Sequence, residues 1–327
     1  MRFAVVGLGG AALRGHLRAI RQLAPRAALV AAAETHPARR AAFASAFPTV
    51  PAFSSTADML GSVSCDVLVV ATDPQAHTEL VVLGIKHGRH VVCEKPLAVV
   101  RADYAQIELT CKQRPDLALI AVHQYRYSPC WASLSRCIRL SRLARLPYRL
   151  TATIERPGTD RHAASAWRSD PAASGGVLAD LGIHFLALAW CAAPRLELLA
   201  ARRRVDRAGH ERSRAVFSSG SGVLEVNAWN GAAGRGTRLY LQRGILSIDW
   251  EDEIARLEIG RRLVREHHVR ALSDREHVDR LYEPFYRELL CRLNVTRWRS
   301  NRTQEALAVC NALLAALEHA PINGADG

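Results

Sequence analysis

The chain has 327 residues, 49% of them apolar, and 44 Lys plus Arg against 31 Asp plus Glu give a formal charge of +13. That apolar share builds sizeable cores and excludes a disordered chain, and the length accommodates about two domains at roughly 100–200 residues each. Only Lys86, Lys95 and Lys112 are lysines, so nearly all of the positive charge is arginine.

The apolar run at Phe3–Val6 stops at Gly7, too short for the core of a secretory signal. It predicts a strand, a glycine turn and then a helix carrying Leu13, Leu17, Ile20 and Leu23. A second strand is expected over 28–33, ending at Glu34, followed by an Ala- and Arg-rich helix. Strands over 67–71, 90–93 and 119–122, with a helix over 77–87, complete an alternation that predicts a parallel sheet with crossovers on both faces. The rhythm changes after about His123. A helix is expected over 131–143, then strands over 148–155, 196–205, 213–218, 223–229, 237–242 and 245–250, joined by short turns such as Ser219–Gly222. This second half reads as α+β with one large, mostly antiparallel sheet. The longest apolar stretch, Val177–Ala193, contains Asp180 and His184 and falls short of the roughly 20 residues of a membrane span. A soluble cytoplasmic protein is therefore expected. The eight cysteines show no metal-ligand spacing and read as reduced, small hydrophobes, so no metal is expected.

Gly7-Leu8-Gly9-Gly10-Ala11-Ala12 lies where a strand passes into a helix, the context of a dinucleotide-binding turn. Gly7 permits the turn, Gly9 lets backbone approach a pyrophosphate, and helix N–H groups face the anion. Glu34 at the end of the second strand can accept hydrogen bonds from a ribose and repels a 2′-phosphate, favouring NAD. Arg39 and Arg40 keep NADP open. Lys95, in Glu94-Lys95-Pro96 at the end of a strand, should face the ligand crevice of a doubly wound sheet. A lysine placed there can exchange a proton, which arginine cannot. Asp180 and His184 stand four apart after Gly175-Gly176, so on a helix the carboxylate can orient the imidazole or join it around a substrate hydroxyl.

Taken in order, Gly7-Leu8-Gly9-Gly10, Ala71-Thr72-Asp73-Pro74 with His77, Glu94-Lys95-Pro96, Arg126-Tyr127-Ser128-Pro129, Trp167-Arg168 and Gly175-Gly176 followed by Asp180 and His184 resemble the Gfo/Idh/MocA oxidoreductases, a family that includes glucose–fructose oxidoreductase and inositol dehydrogenases. The resemblance spans roughly residues 1–320. It implies an N-terminal Rossmann domain (1–122), a substrate and oligomerisation domain (123–302) with an open sheet, and a final helix (303–320) packing back on the Rossmann domain. It further implies a homodimer or homotetramer. Cofactor contacts are implied at Gly7, Gly9, Gly10, Ala11, Glu34, Thr72, Pro74, His77, Glu94 and Lys95. Lys95, Asp180 and His184 match the family's proton-transfer residues, and Tyr125, Arg126, Trp167 and Arg168 are candidates for the substrate pocket together with Asp180 and His184.

The chain departs from the family pattern in two places. Ala187 stands where many relatives carry Asp, and His123-Gln124-Tyr125 stands where many carry a Phe-Asn-Arg-like run. The expected activity is hydride transfer between NAD, or NADP, and a sugar, cyclitol or related hydroxy/oxo compound. An imine reductase on the same scaffold and a non-catalytic NAD-binding regulator are the alternatives. Nucleic acid is not an expected partner: Arg136, Arg139, Arg142 and Arg145 recur in steps of three and drift by about 60° per step around a helix, so they form no phosphate-tracking stripe.

Overall fold

A computed structural model of the chain describes residues 1–129, 131–132, 134–136, 146–157, 170–269 and 274–321. Most of the helix expected over 131–143, together with Trp167 and Arg168, lies outside the described residues. The chain divides into two units, Met1–Val122 with Asp279–Leu307 and His123–Val278 with Ala308–Gly327.

The first unit is built on a six-stranded sheet: β1 (Arg2–Val6), β2 (Ala28–Ala33), β3 (Ala52–Phe53), β4 (Val67–Val70), β5 (His90–Cys93) and β6 (Leu119–Ala121). Its order is β3-β2-β1-β4-β5-β6 and every pairing is parallel. All four residues of β4 are buried, as a central strand covered by helices on both faces requires. The crossovers are α1 (Leu17–Gln22), α2 (Pro37–Ala46), α3 (Thr56–Ser62), α4 (His77–Lys86) and α5 (Arg101–Gln113). Strand order reverses between β1 and β4, so the ends of β1, β4 and β5 meet at the switch point where ligands bind in such sheets.

The second unit carries an eight-stranded sheet: β7 (Tyr148–Glu155), β8 (Glu197–Val205), β9 (Glu211–Ser219), β10 (Gly222–Trp229), β11 (Gly236–Arg243), β12 (Leu246–Glu251), β13 (Ile254–Ile259) and β14 (Arg262–His268). Their order is β14-β13-β12-β11-β7-β10-β9-β8, antiparallel except for the parallel pair β7 and β10. Along β7 the side chains alternate, with Tyr148, Leu150, Ala152 and Ile154 buried and Arg149 and Glu155 exposed. The helix α6 (Ile183–Ala192) is apolar nearly all round, which fits its burial in this unit.

Three features differ from the sequence reading. β13 and β14 extend the sheet beyond the last expected strand. The segment α7 (Arg275–Arg280) and α8 (Tyr282–Arg292) is helical, and the final helix α9 begins at Thr296 rather than 303 and runs to His319. The segment grouped with the Rossmann sheet is 279–307, whereas 308 onward groups with the second unit, where 303–320 was expected to return as a whole. The return starts early because Tyr282 and Tyr286 of α8 are recruited by buried polar groups of the first unit, and the Thr303 hydroxyl accepts the N–H of Leu119 at the start of β6.

Gly222 opens β10 directly over the Tyr148 ring, where an added Cβ would lie 2.4 Å from ring carbons. The ring is pinned because its hydroxyl donates to the Ser219 carbonyl at 2.7 Å. Gly222→Ala is expected to cost about 1–3 kcal/mol of stability through overpacking, read as a lowered midpoint in urea denaturation with an unchanged slope.

Candidate functional site

In the first unit the motif residues gather at the carboxyl ends of the strands. Gly7 ends β1 with φ +83°, and its N–H donates to the Ala33 carbonyl at 2.9 Å. A side chain here would strike the Ala71 carbonyl at 2.8 Å, so position 7 requires glycine for both conformation and space. Gly9 is different: an added Cβ would meet nothing within 4 Å. Its bare backbone borders open space, which suits the approach of a bulky phosphate. The chain after it is helical, with a π-type turn over Ala12–His16 that inserts one residue into the helix start.

Glu34 is buried and its carboxylate is already engaged. The Leu8 N–H donates to one oxygen and the His36 N–H to the other, both at 2.9 Å. The acid thereby places negative charge against the glycine-rich turn. Arg40 is held by the Glu34 and Thr35 carbonyls, at 2.7 and 3.3 Å, while the exposed Arg39 reaches to 3.9 Å from the Glu34 carboxylate.

His77, the first residue of α4, joins the loop after β4 to the loop after β5. Its ring nitrogens lie 2.8 Å from the Pro96 carbonyl and 3.1 Å from the Thr72 carbonyl. Burial pushes its pKa down, against the pull of the two carbonyls, so His77 is neutral and donates to one of them. It fixes the turn that contains the cis Lys95–Pro96 peptide. Pro74 is buried in the short helical turn before α4, and Thr72 Oγ1 is a buried hydroxyl with no hydrogen-bond partner among the described residues. Lys95 itself is half-buried at the end of β5. Glu94 points inward, where its carboxylate accepts from Tyr282 and meets His16. It thus lies among the protein's own side chains, although it was expected to face the cofactor.

In the second unit Asp180 and His184 are both buried, each 4% exposed. They sit on different helical geometries: Asp180 in a π-type turn over Leu178–Gly182, His184 in α6. A π-type turn bonds i to i+5, so the four-residue spacing does not carry the simple shared face of an α-helix. The His184 ring stacks on Tyr125, with centroids 4.2 Å apart and planes within 8°. His123 stands edge-on to the same imidazole at 6.5 Å, and Phe185 edge-on to Tyr125 at 5.9 Å. Arg126 is half-buried with its guanidinium 5.7 Å from the Tyr127 ring centroid.

The Gly175-Gly176 turn, with φ +72° and +75°, is held by a buried ion pair that the sequence reading missed. Arg203 Nε donates to Glu211 at 2.9 Å, and both side chains are at most 6% exposed. Arg203 also donates to the Gly175 carbonyl at 3.0 Å, while Glu211 accepts the Val177 N–H at 2.8 Å and the Ser213 hydroxyl at 2.5 Å. A Cβ on Gly176 would lie 2.0 Å from the Glu211 carboxylate. The second glycine therefore exists to let this carboxylate grip the start of the segment carrying Asp180 and His184. In sequence, Arg203 and Glu211 look like members of charged strand surfaces, and nothing in their spacing marks them as buried partners.

Residues 1–123 match the family model described as "Oxidoreductase family, NAD-binding Rossmann fold", the Gfo/Idh/MocA model. Over this N-terminal segment, less than half of its length, the chain is similar to the Gfo/Idh/MocA oxidoreductases. Among its relatives, the D-apiose dehydrogenase of Paraburkholderia graminis is 26% identical over 256 residues, covering 76% of this chain and 66% of that protein. The 1,5-anhydro-D-fructose reductase of Ensifer adhaerens is 26% identical over 185 residues, 56% of this chain and 54% of that one. The matches thus span less than two thirds of these relatives' own length. In fold, an oxidoreductase from Agrobacterium radiobacter, solved with NAD+, L-tartaric acid and magnesium, superposes with a TM-score of 0.80 at 16% identity, covering 98% of this chain and 96% of that one. The chain has, among the described residues, no cluster of three or more His, Cys, Asp or Glu side chains able to hold a metal. Nor is any described helix long and apolar enough to cross a membrane.

Two of these buried groups give the protein a pH signature. Hydrogen bonds from His16 and Tyr282 outweigh the upward push of burial on Glu94 and lower its pKa from 4.5 to about 2. The native state therefore gains from an ionised Glu94 above about pH 4.5, and that gain is lost as pH falls toward 2. His77, lowered from 6.5, adds a loss of the same sign, because the unfolded chain takes up its proton first as pH falls through 6.5. Wild type is expected to exceed Glu94→Gln in stability by about 3 kcal/mol at pH 7, with the gap closing as pH drops below 4. Denaturant melts across that range measure it.

Proposed function

We propose that the chain is an NAD(P)-dependent oxidoreductase that moves a hydride between the nicotinamide and a sugar, cyclitol or related hydroxy/oxo compound. The observation that carries this reading is the placement of Lys95 at the end of β5, on the rim of a sheet whose β1 end presents the open backbone of Gly9. The cofactor fits this chain: Gly7, its own N–H bonded to Ala33, makes the turn, Gly9 leaves open space, and the backbone N–H groups of Gly9, Gly10 and Ala11 are those that would face a pyrophosphate. Thr72, Pro74 and His77 shape the neighbouring loop. Glu34 sets negative charge where an adenosine 2′-phosphate would come, which favours NAD over NADP. When bound, the nicotinamide supplies the hydride donor or acceptor, and the protein's task is to place the substrate and manage the proton.

Lys95 is the side chain assigned to hold or accept the proton of the reacting hydroxyl. His184, the second proton-transfer residue, has its ring plane set by Tyr125, and Asp180 is assigned to orient it or bind a neighbouring hydroxyl. Arg126 belongs to the substrate side, as do Trp167 and Arg168. The named activities of the apiose and anhydrofructose relatives support a polyhydroxylated substrate. The protein is further read as a cytoplasmic homo-oligomer.

Titration of NADH fluorescence, followed by a panel of sugars and cyclitols with NAD+ and NADP+, tests the reading. Lys95→Ala is expected to lower turnover about 10²–10⁴-fold with folding intact. Turnover within a few-fold of wild type would remove Lys95 from the chemistry. Gly9→Ala should leave stability within about 0.5 kcal/mol of wild type, since nothing opposes the new methyl group, while weakening NADH binding at least tenfold. Binding of NADH with no turnover of any compound in the panel would make the chain a sensor.

A further inference from the structure

Gly7, Gly9 and Gly10 lie within four residues of one another, so the turn they form has much conformational freedom to lose. Unless the protein restrains it, a bound pyrophosphate would have to order it at the expense of affinity. Gly7 is fixed on one side by its own N–H, which donates to the Ala33 carbonyl at 2.9 Å. The peptide plane on its other side is fixed by the next N–H, that of Leu8, which donates to Glu34 Oε2 at 2.9 Å. Toward the helix, the Gly9 carbonyl accepts the Leu13 N–H at 3.0 Å. Of these restraints only the one from Glu34 comes from a side chain, so it alone can be removed by substitution.

The chemistry of the acid matches this task. Glu34 is 7% exposed, and its carboxylate receives backbone N–H donors from two segments, Leu8 on Oε2 and His36 on Oε1, each at 2.9 Å. Two donors held by backbone require two acceptors, and an ionised carboxylate presents acceptors alone. Length matters as well. An aspartate is about 1.5 Å shorter; it accepts readily from the N–H two residues on, here that of His36, and falls short of Leu8. The other neighbours are looser: the Thr35 hydroxyl lies 3.5 Å from Oε1, and the Arg39 guanidinium, 59% exposed, lies 3.9 Å from Oε2. The backbone of residue 34 is set separately, since its N–H donates to the Phe53 carbonyl at 3.0 Å and its carbonyl accepts Arg40 at 2.7 Å.

We propose that Glu34 is a positioning residue that holds the glycine-rich turn in its anion-receiving shape before a dinucleotide arrives, a task separate from any contact with the ribose. Removing the acid therefore loosens the seat of the pyrophosphate that NAD and NADP share, whatever it does to the choice between them. The consequence for binding rests on the cofactor reading given above. The restraint on the turn does not.

Amide exchange of isotope-labelled apoprotein reads the restraint, with the Gly7 N–H as internal reference because its acceptor is a backbone carbonyl. Glu34→Asp should speed exchange of the Leu8 N–H relative to that of Gly7 by about tenfold or more. Arg39→Ala, which removes the exposed cation and leaves both N–H bonds in place, should leave the ratio unmoved. Binding is read with 2′,3′-dideoxy-ADP, which keeps the pyrophosphate and lacks both ribose hydroxyls. Glu34→Ala should weaken it about tenfold, although loss of a negative charge would by Coulomb's law alone favour an anion. Glu34→Asp carries both measurements if Glu34→Ala fails to fold. An unchanged exchange ratio in Glu34→Asp, or an equal rise in Arg39→Ala, overturns the proposal, as does dideoxy-ADP bound as tightly by the variant as by wild type. Wild type that binds neither ADP nor NADH would overturn the cofactor reading alone, and the exchange ratio would still decide the role of Glu34.

Discussion

A carboxylate removed from water must be surrounded by donors or the chain will not keep it. Both units of this protein use that requirement at the segment bearing a proton-transfer candidate. In the first unit Glu94 collects Tyr282, His16 and the N–H of Lys95. In the second, Glu211 collects Arg203, Ser213 and the N–H of Val177. Each anion accepts a backbone N–H at or close to the residue whose placement matters. The demand for satisfaction is thereby converted into a fixed backbone position, and the glycines at 15 and 176 are the openings through which these groups fit.

This shared device explains why the motif residues recur as short words. Glu94-Lys95-Pro96 combines an anchor, a reactive amine and a turn fixed by His77. Gly175-Gly176 before Asp180 and His184 combines a left-handed turn, a site for a carboxylate and a helix start. What catalysis would need is carried by one or two side chains in each word. The remaining residues supply the geometry.

The parallel sheet was legible because its strands are uninterrupted apolar runs ended by Gly7, Glu34 and Glu94, and most of the antiparallel sheet because its strands alternate and its turns are rich in glycine. β13 and β14 were not, since Arg256, Glu258, Arg265 and Glu266 interleave with their apolar residues and blur the period. Short α8 was missed for a related reason: Tyr282 and Tyr286 earn their place through partners nearly 200 and 270 positions away in the chain, which no local pattern displays. Of the candidate site, Lys95, Asp180 and His184 could be picked out, and Tyr125 was named without the stacking that gives it a role. His123 stood beside it as a departure from the family pattern. The inward turn of Glu94 and the Arg203–Glu211 pair emerged only from packing.

Two helices, the one after the glycine-rich turn and the one carrying His184, begin with a π-type turn. Such a turn stores one surplus residue without breaking the helix. His184 therefore lies beyond, and His16 at the end of, a place where chain length can change by a single residue while the downstream side chains keep their address. Comparison by fixed motif spacing with a helix that lacks the turn would slip by one position at these points. The side chains that correspond in space would then be read as substitutions when they are only displaced in count.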